Sequence, residues 1–147
     1  MAEFSVTGET FDHGERMPDR HALDGDNLSP PLSWSGHPEG TGSIAVICDD
    51  PDAPAGNFVH WVAWGIDPNA GRLAEGEPPP KEGLNDFGRP GYDGPAPPPG
   101  GPHRYFFRVF ALDAHPELEL DASRDDLAAA IDGHVLATAE HMGTYQR

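Results

Sequence analysis

Lysine is nearly missing from this chain. Lys81 is the only one, and with eight arginines it faces fifteen aspartates and ten glutamates, for a formal charge of −16. Nucleic acid and anionic membranes are bound through basic patches, so this balance excludes both as partners. Cysteine is as scarce. Cys48 stands alone, which excludes an internal disulfide. It ends the apolar run Ile44-Ala45-Val46-Ile47 and reads as a buried strand thiol, with Asp49 beside it opposing thiolate formation. No hydrophobic run approaches membrane-spanning length. Met1-Ala2-Glu3-Phe4 lacks the basic and apolar parts of a signal peptide, so the sequence predicts a soluble, cytoplasmic protein without membrane insertion. Internal repeats are absent as well.

An acidic excess with so little lysine resembles the composition of haloarchaeal proteins, whose carboxylate surfaces stay hydrated in concentrated salt. Repulsion among those carboxylates destabilises the compact state in dilute buffer. About 1 M salt shortens the Debye length to about 3 Å and removes most of it. The fold is therefore expected to loosen in low salt, with a melting temperature that rises from dilute buffer to molar KCl. An unchanged melt across that range contradicts this.

The 147 residues suit one domain spanning 1–147, and the 37% hydrophobic content is gathered into runs at 43–48, 58–66 and 104–112. These predict strands, with shorter ones at 4–6, 32–34 and 118–120. Over 58–66, strict alternation puts Phe58, His60, Val62, Trp64 and Ile66 on one face and Val59, Trp61, Ala63 and Gly65 on the other. Both faces are apolar, so this strand sits between two layers. His60 then needs a hydrogen-bond partner in apolar company. Residues 75–102 hold nine prolines and no periodicity, and a loop this long in a small domain serves a function or is disordered. Pro30, Pro31, Pro51, Pro54 and 97–99 are candidates for a cis bond in a tight turn. On the strand beginning at His103, the residues His103, Tyr105, Phe107 and Val109 share a face, opposite Arg104 and Arg108. Ser123 with Asp126 resembles a capping box that opens a helix over 127–131. Gly133 interrupts, and His134 to Met142 reads as a second helix that Gly143 terminates. Strands first and helices last predict a mainly β domain, a sandwich with C-terminal helices packed alongside.

Two histidines and two aspartates stand at strand ends, which points to a small polar pocket rather than a flat surface. The blocks that carry them are Asp50-Pro51-Asp52-Ala53-Pro54, Phe58-Val59-His60-Trp61-Val62-Ala63-Trp64, Gly91-Tyr92-Asp93-Gly94-Pro95 and His103-Arg104-Tyr105-Phe106-Phe107. With Asp26-Asn27-Leu28-Ser29-Pro30-Pro31-Leu32-Ser33-Trp34, Asn85-Asp86-Phe87-Gly88 and Gly143-Thr144-Tyr145, they resemble the phosphatidylethanolamine-binding protein family, also called Raf kinase inhibitor protein-like, in its short prokaryotic branch. The order and spacing of the blocks are specific where any one of them is weak. The resemblance implies a Greek-key β-sandwich with a small pocket for phosphate, phosphorylethanolamine or acetate-like groups. By motif the pocket residues are Asp50, His60, Gly94, His103 and Tyr105, with Asp52 and Pro97–Pro98 framing them. Family members often carry glycine two positions after Gly94; here Ala96 adds a methyl that narrows the backbone approach.

The chemistry of such a pocket is plain. A phosphate monoester needs donors, and two imidazoles, the Tyr105 hydroxyl and the Gly94 backbone N–H supply them. Asp50 orients an imidazole and holds its charge. The bland alternative has Asp50 and Asp52 capping turns, His60 as a satisfied core histidine and Tyr105 as a sandwich aromatic. It suits either histidine alone and fails for the set, because so many polar side chains then crowd strand ends beside one long loop. A metal-dependent hydrolase using His60, His103 and Asp50 is the first rival, a two-histidine-one-carboxylate site without a His-Glu-x-x-His motif. A serine hydrolase lacks its Gly-x-Ser-x-Gly elbow, and Asp86-Phe87-Gly88 mimics a kinase motif by letters alone. The third reading is an interaction protein that inhibits a kinase or protease by docking its phosphorylated or acidic group. The sequence thus predicts a binding protein for a small anionic or phosphoryl ligand, with no cofactor and no catalytic signature. A homodimer is expected by analogy with prokaryotic relatives.

Overall fold

The structure, a computed structural model, describes residues 3–147. Its strands are β1 (Ser5–Gly8), β2 (Leu32–Ser35), β3 (Ser43–Asp50), β4 (Phe58–Ile66), β5 (Arg72–Leu73), β6 (Lys81–Glu82), β7 (His103–Leu112) and β8 (Val135–Tyr145), with one α-helix, α1 (Arg124–Ile131). They form two antiparallel sheets, a small one ordered β1-β2-β5 and a large one ordered β6-β4-β3-β7-β8. β3 and β4 make a hairpin, whereas β7 lies on the other side of β3, so the 75–102 loop carries the chain across the sheet.

One core lies between the sheets, where Val6, Leu32, Trp34 and Leu73 meet Val46, Cys48, Trp61, Phe107 and Val109. On the opposite face of the large sheet, Ala45, Ile47, Val62 and Trp64 pack with Leu127 and Ile131 of α1. β3 and β4 are thus covered on both faces, as their unbroken apolar character requires. α1 is too short to persist alone. Burying Leu127 and Ile131 contributes about 1.5–3 kcal/mol each. Its capping box adds about 1 kcal/mol: Ser123 Oγ accepts from Asp126 N at 3.1 Å, and Asp126 Oδ2 accepts from Ser123 N at 2.9 Å.

Four expectations are corrected. There is a single C-terminal helix. The segment His134–Met142, read as a second one, belongs to β8, which pairs with β7 from His103↔Tyr145 to Leu112↔Val135. Its Leu, Ala, Glu and Met favour helix only weakly, and the open edge of β7 overrides that preference. Gly143 is no terminator but a strand residue: a Cβ there would lie 2.5 Å from Met17 Cγ and 2.7 Å from Phe11 Cε2. Strict alternation over 58–66 also fails. Cys48 pairs Trp61 while Asp49 pairs Val59, so His60 is an extra residue, and a second irregularity falls near Gly65, whose φ is +72°. Residues 118–120 form no strand. No peptide bond among the described residues is cis. Nor, among them, is any helix long and apolar enough to cross a membrane.

Candidate functional site

The hairpin and crossover bring three strand ends together. Asp50 ends β3, His60 is the bulged residue near the start of β4, and His103 opens β7 beside them. At this end a cavity of about 190 Å³ is lined by Asp50, His60, His103 and Tyr105, with Phe58, Phe87, Ala53, Pro54, Ala96, Pro97 and Pro98 as walls. The β-bulge at His60 re-aims that side chain toward the Tyr105 ring, 5.2 Å away.

Each polar group is held by a named partner. His60 Nδ1 donates to the Asp93 carbonyl at 2.7 Å, while Asp93 N donates back to the His60 carbonyl at 3.2 Å. A carbonyl only accepts, so the proton sits on Nδ1 and Nε2 carries the lone pair. Burial lowers the His60 pKa, against the upward pull of the Asp93 hydrogen bond and the nearby carboxylates of Asp50, Asp86 and Asp93. The ring is therefore neutral at neutral pH. His103 Nδ1 donates to Asp50 Oδ2 at 2.7 Å, and Asp50 Oδ1 accepts from Asp52 N at 2.8 Å. Asp50 is thus fixed by one imidazole and one turn, and it is the only carboxylate that lines the cavity. Burial and the Asp50 charge push the Tyr105 phenol far above its ordinary value, so it stays an O–H. Cys48, behind the cavity, is raised likewise by burial and by Asp49 and Asp50, as an inert core thiol should be.

Asp50, His60, Pro97, His103 and Tyr105 meet in one cavity. Asp52 and Gly94 stand outside its lining. The Asp52 carboxylate accepts from Arg104 N, Nε and Nη2, each at 2.9 Å. Those bonds hold its pKa at about 2 and fix the residue next to His103. Gly94 N donates to Asn27 Oδ1 at 2.7 Å, so that N–H is spent inside the protein. Among the described residues no three His, Cys, Asp or Glu side chains form a metal-holding group, which leaves the hydrolase reading without support.

Residue reasoning missed the frame behind the cavity. The Asp93 carboxylate accepts from Asn27 Nδ2 at 2.9 Å, Asn85 Nδ2 at 2.8 Å and Arg89 Nε at 3.1 Å. Asn27 takes φ +56°, which asparagine tolerates better than most side chains. This network clamps the long loop, and through the Asp93 carbonyl it orients His60. The signal was present in Asn27, Asn85 and Asp93, which stand in three of the blocks named above. The aromatic wall was missed too: Phe58 lies 5.0 Å and Phe87 5.7 Å from the His60 ring.

Comparison with known proteins adds independent findings. The sequence profile described as phosphatidylethanolamine-binding protein matches residues 7–146. The UPF0098 protein of Methanothermobacter thermautotrophicus is 47% identical over 147 aligned residues, covering 93% of this chain and 95% of that protein. A solved phosphatidylethanolamine-binding protein homolog from Chlamydia trachomatis superposes with a TM-score of 0.95 at 37% identity, covering 100% of this chain and 99% of that one. The structure of YbcL from E. coli, described as a new member of the mammalian family, gives 0.93 at 34% identity, with 99% of both chains covered.

Proposed function

The chain belongs to the phosphatidylethanolamine-binding protein family, and on that premise we propose that it is a binding protein, not an enzyme, whose cavity takes a small anionic head group of the phosphoryl type. One observation carries this reading: Asp50, His60, His103 and Tyr105, far apart in the chain, line a single cavity with apolar walls. Each imidazole is anchored through Nδ1, which leaves both Nε2 atoms without a protein hydrogen bond. Neutral His60 offers a lone pair, Tyr105 an O–H, and His103 presents its Nε2 edge while Asp50 fixes the ring through Nδ1. A singly protonated phosphoryl group matches that set, since it carries both an O–H and acceptor oxygens. The volume of about 190 Å³ falls below the ~300–1,000 Å³ of sites for drug-sized ligands, so it suits a head group rather than a whole lipid. A regulatory role toward a kinase or protease would use the same donors, with the partner's phosphorylated residue as the head group.

The test is calorimetric titration with phosphorylethanolamine and with inorganic phosphate, in salt high enough to keep the fold. His103→Ala is expected to weaken binding at least about tenfold, the loss of one charge-assisted hydrogen bond at ~1.5–3 kcal/mol, with the fold retained by circular dichroism. Undiminished binding by the variant rejects the assignment.

A further inference from the structure

We propose, resting on the head-group reading, that Arg147 is the ligand's cationic partner: it leaves Asp24 and pairs with the anionic oxygens at the rim of the cavity.

The cavity has no cation of its own to offer. Among the described residues that line it none is arginine or lysine, and Asp50 brings a negative charge. Any proton that His103 gains is matched by the Asp50 carboxylate 2.7 Å away, so the pair carries no net positive charge. An anion taken out of water without a counter-charge is costly. The charge that meets it therefore comes from beyond the lining.

Two arginines stand at this end of the sheet. Arg104 adjoins His103, but its Nε, Nη2 and backbone N all donate to Asp52, and its guanidinium lies over the Phe106 ring, 5.5 Å from the centroid. Arg147 is placed differently. β8 ends at Tyr145, opposite His103, so Gln146 and Arg147 run on toward the cavity's end of the sheet. There Arg147 Nη2 donates to Asp24 Oδ2. Asp24 follows Leu23, whose N donates to the Pro95 carbonyl at 3.0 Å, and the next three residues, Ala96, Pro97 and Pro98, are cavity wall. Arg147 is thus tethered beside that wall, and its charge is felt inside. Burial and Asp50 push the Tyr105 phenol up, and among the groups acting on that hydroxyl only Arg147 pulls it down.

The tether is weak. The Asp24 side chain is 74% exposed and that of Arg147 37%. An exposed ion pair is worth little, and less in salt. A phosphoryl group offers the guanidinium two oxygens in a bidentate fit, stronger than the single contact with Asp24. Ligand and Asp24 compete for one guanidinium, and the ligand wins.

Calorimetric titration of inorganic phosphate into the full chain in molar KCl tests this. Arg147→Gln should weaken binding about tenfold, through loss of a charge-assisted contact. Asp24→Asn should strengthen it about two- to fivefold, the range of an exposed ion pair, because it releases Arg147. The double variant should match Arg147→Gln, since Asp24 acts only through the guanidinium. A rim that needed the Arg147–Asp24 tie for its shape would lose affinity whichever partner is changed, so unchanged or weaker binding by Asp24→Asn overturns the proposal. If Arg147→Gln fails to fold, Asp24→Asn decides alone. Binding that His103→Ala loses and Arg147→Gln keeps overturns the role of Arg147 and leaves the head-group reading intact. No phosphate binding by the wild type overturns both.

Discussion

Gly94→Ala is expected to destabilise the protein by about 3 kcal/mol or more, within the range of severe packing errors. An added Cβ would lie 1.9 Å from the His21 carbonyl oxygen and 3.0 Å from the Ala22 carbonyl carbon. Both are backbone atoms, so no side chain can swing away. The two segments are stitched together around that contact. Tyr92 Oη donates to His21 O at 2.8 Å, Leu23 N to Pro95 O at 3.0 Å, and Gly94 N to Asn27 Oδ1 at 2.7 Å. Forcing them apart breaks several of these bonds and releases Asp93, which holds His60. The melting temperature should drop by roughly 10 °C, taking about 2–4 °C per kcal/mol for a domain near this size. Gly101→Ala is the control: nothing lies within 4 Å of its Cβ position, and the change should stay within about 0.5 kcal/mol. The pair also separates two roles for Gly94. Alanine keeps the backbone N–H, so a variant of wild-type stability that loses only ligand binding would contradict the spacing role.

How much of this was legible in the sequence depends on the kind of signal. The long apolar strands read directly from their runs, and the helix start read from Ser123 and Asp126, because both are local effects. β8 did not. Its Ala137 and Ala139 lean locally toward helix, and the deciding fact is an unpaired neighbour far away in the chain. The bulge at His60 was hidden for a related reason. A single inserted residue leaves the composition untouched and shows only in the pairing to Cys48 and Asp49. The cavity's histidines, Asp50 and Tyr105 were legible as a set, since polar groups at apolar strand ends demand partners. Gly94 was misjudged as a donor to the ligand because a glycine's value here is its missing Cβ, which depends on what passes 1.9 Å away. Asn27 and Asn85 were overlooked because side-chain amides in turn-rich sequence usually serve the turn itself.

Acid should begin to destabilise this protein before its carboxylates titrate. His21, His60 and His141 are 0%, 3% and 4% exposed, and burial lowers the pKa of each below the ordinary value. Their surroundings oppose the shift only in part. His21 faces Glu75 and Arg20, His60 faces Asp50, Asp86 and Asp93, and His141 faces Asp12 and His13. Between the depressed folded values and the unfolded value near 6.5, the unfolded chain binds more protons than the folded one. Stability is therefore complete above about pH 6.5 and is lost as pH falls through the folded values. One histidine contributes at most about 1.4 kcal/mol per pH unit. The three act in the same direction, so the loss accumulates from ring to ring. A competing effect has the opposite sign, because protonating carboxylates relieves the repulsion within a chain of net −16. That relief begins near pH ~4–5 for ordinary carboxyls and is mostly screened in molar KCl, so just below about pH 6.5 the histidines act first. Melting temperatures in molar KCl should fall as pH drops from about 6.5 toward the carboxylate range. His21→Gln or His141→Asn should each make that fall shallower, whatever they do to the absolute stability. A melt independent of pH over that range would show that these rings take up protons in the folded protein as readily as in the unfolded chain, and the depressed pKa that keeps His60 a neutral lone-pair donor to the head group would be refuted.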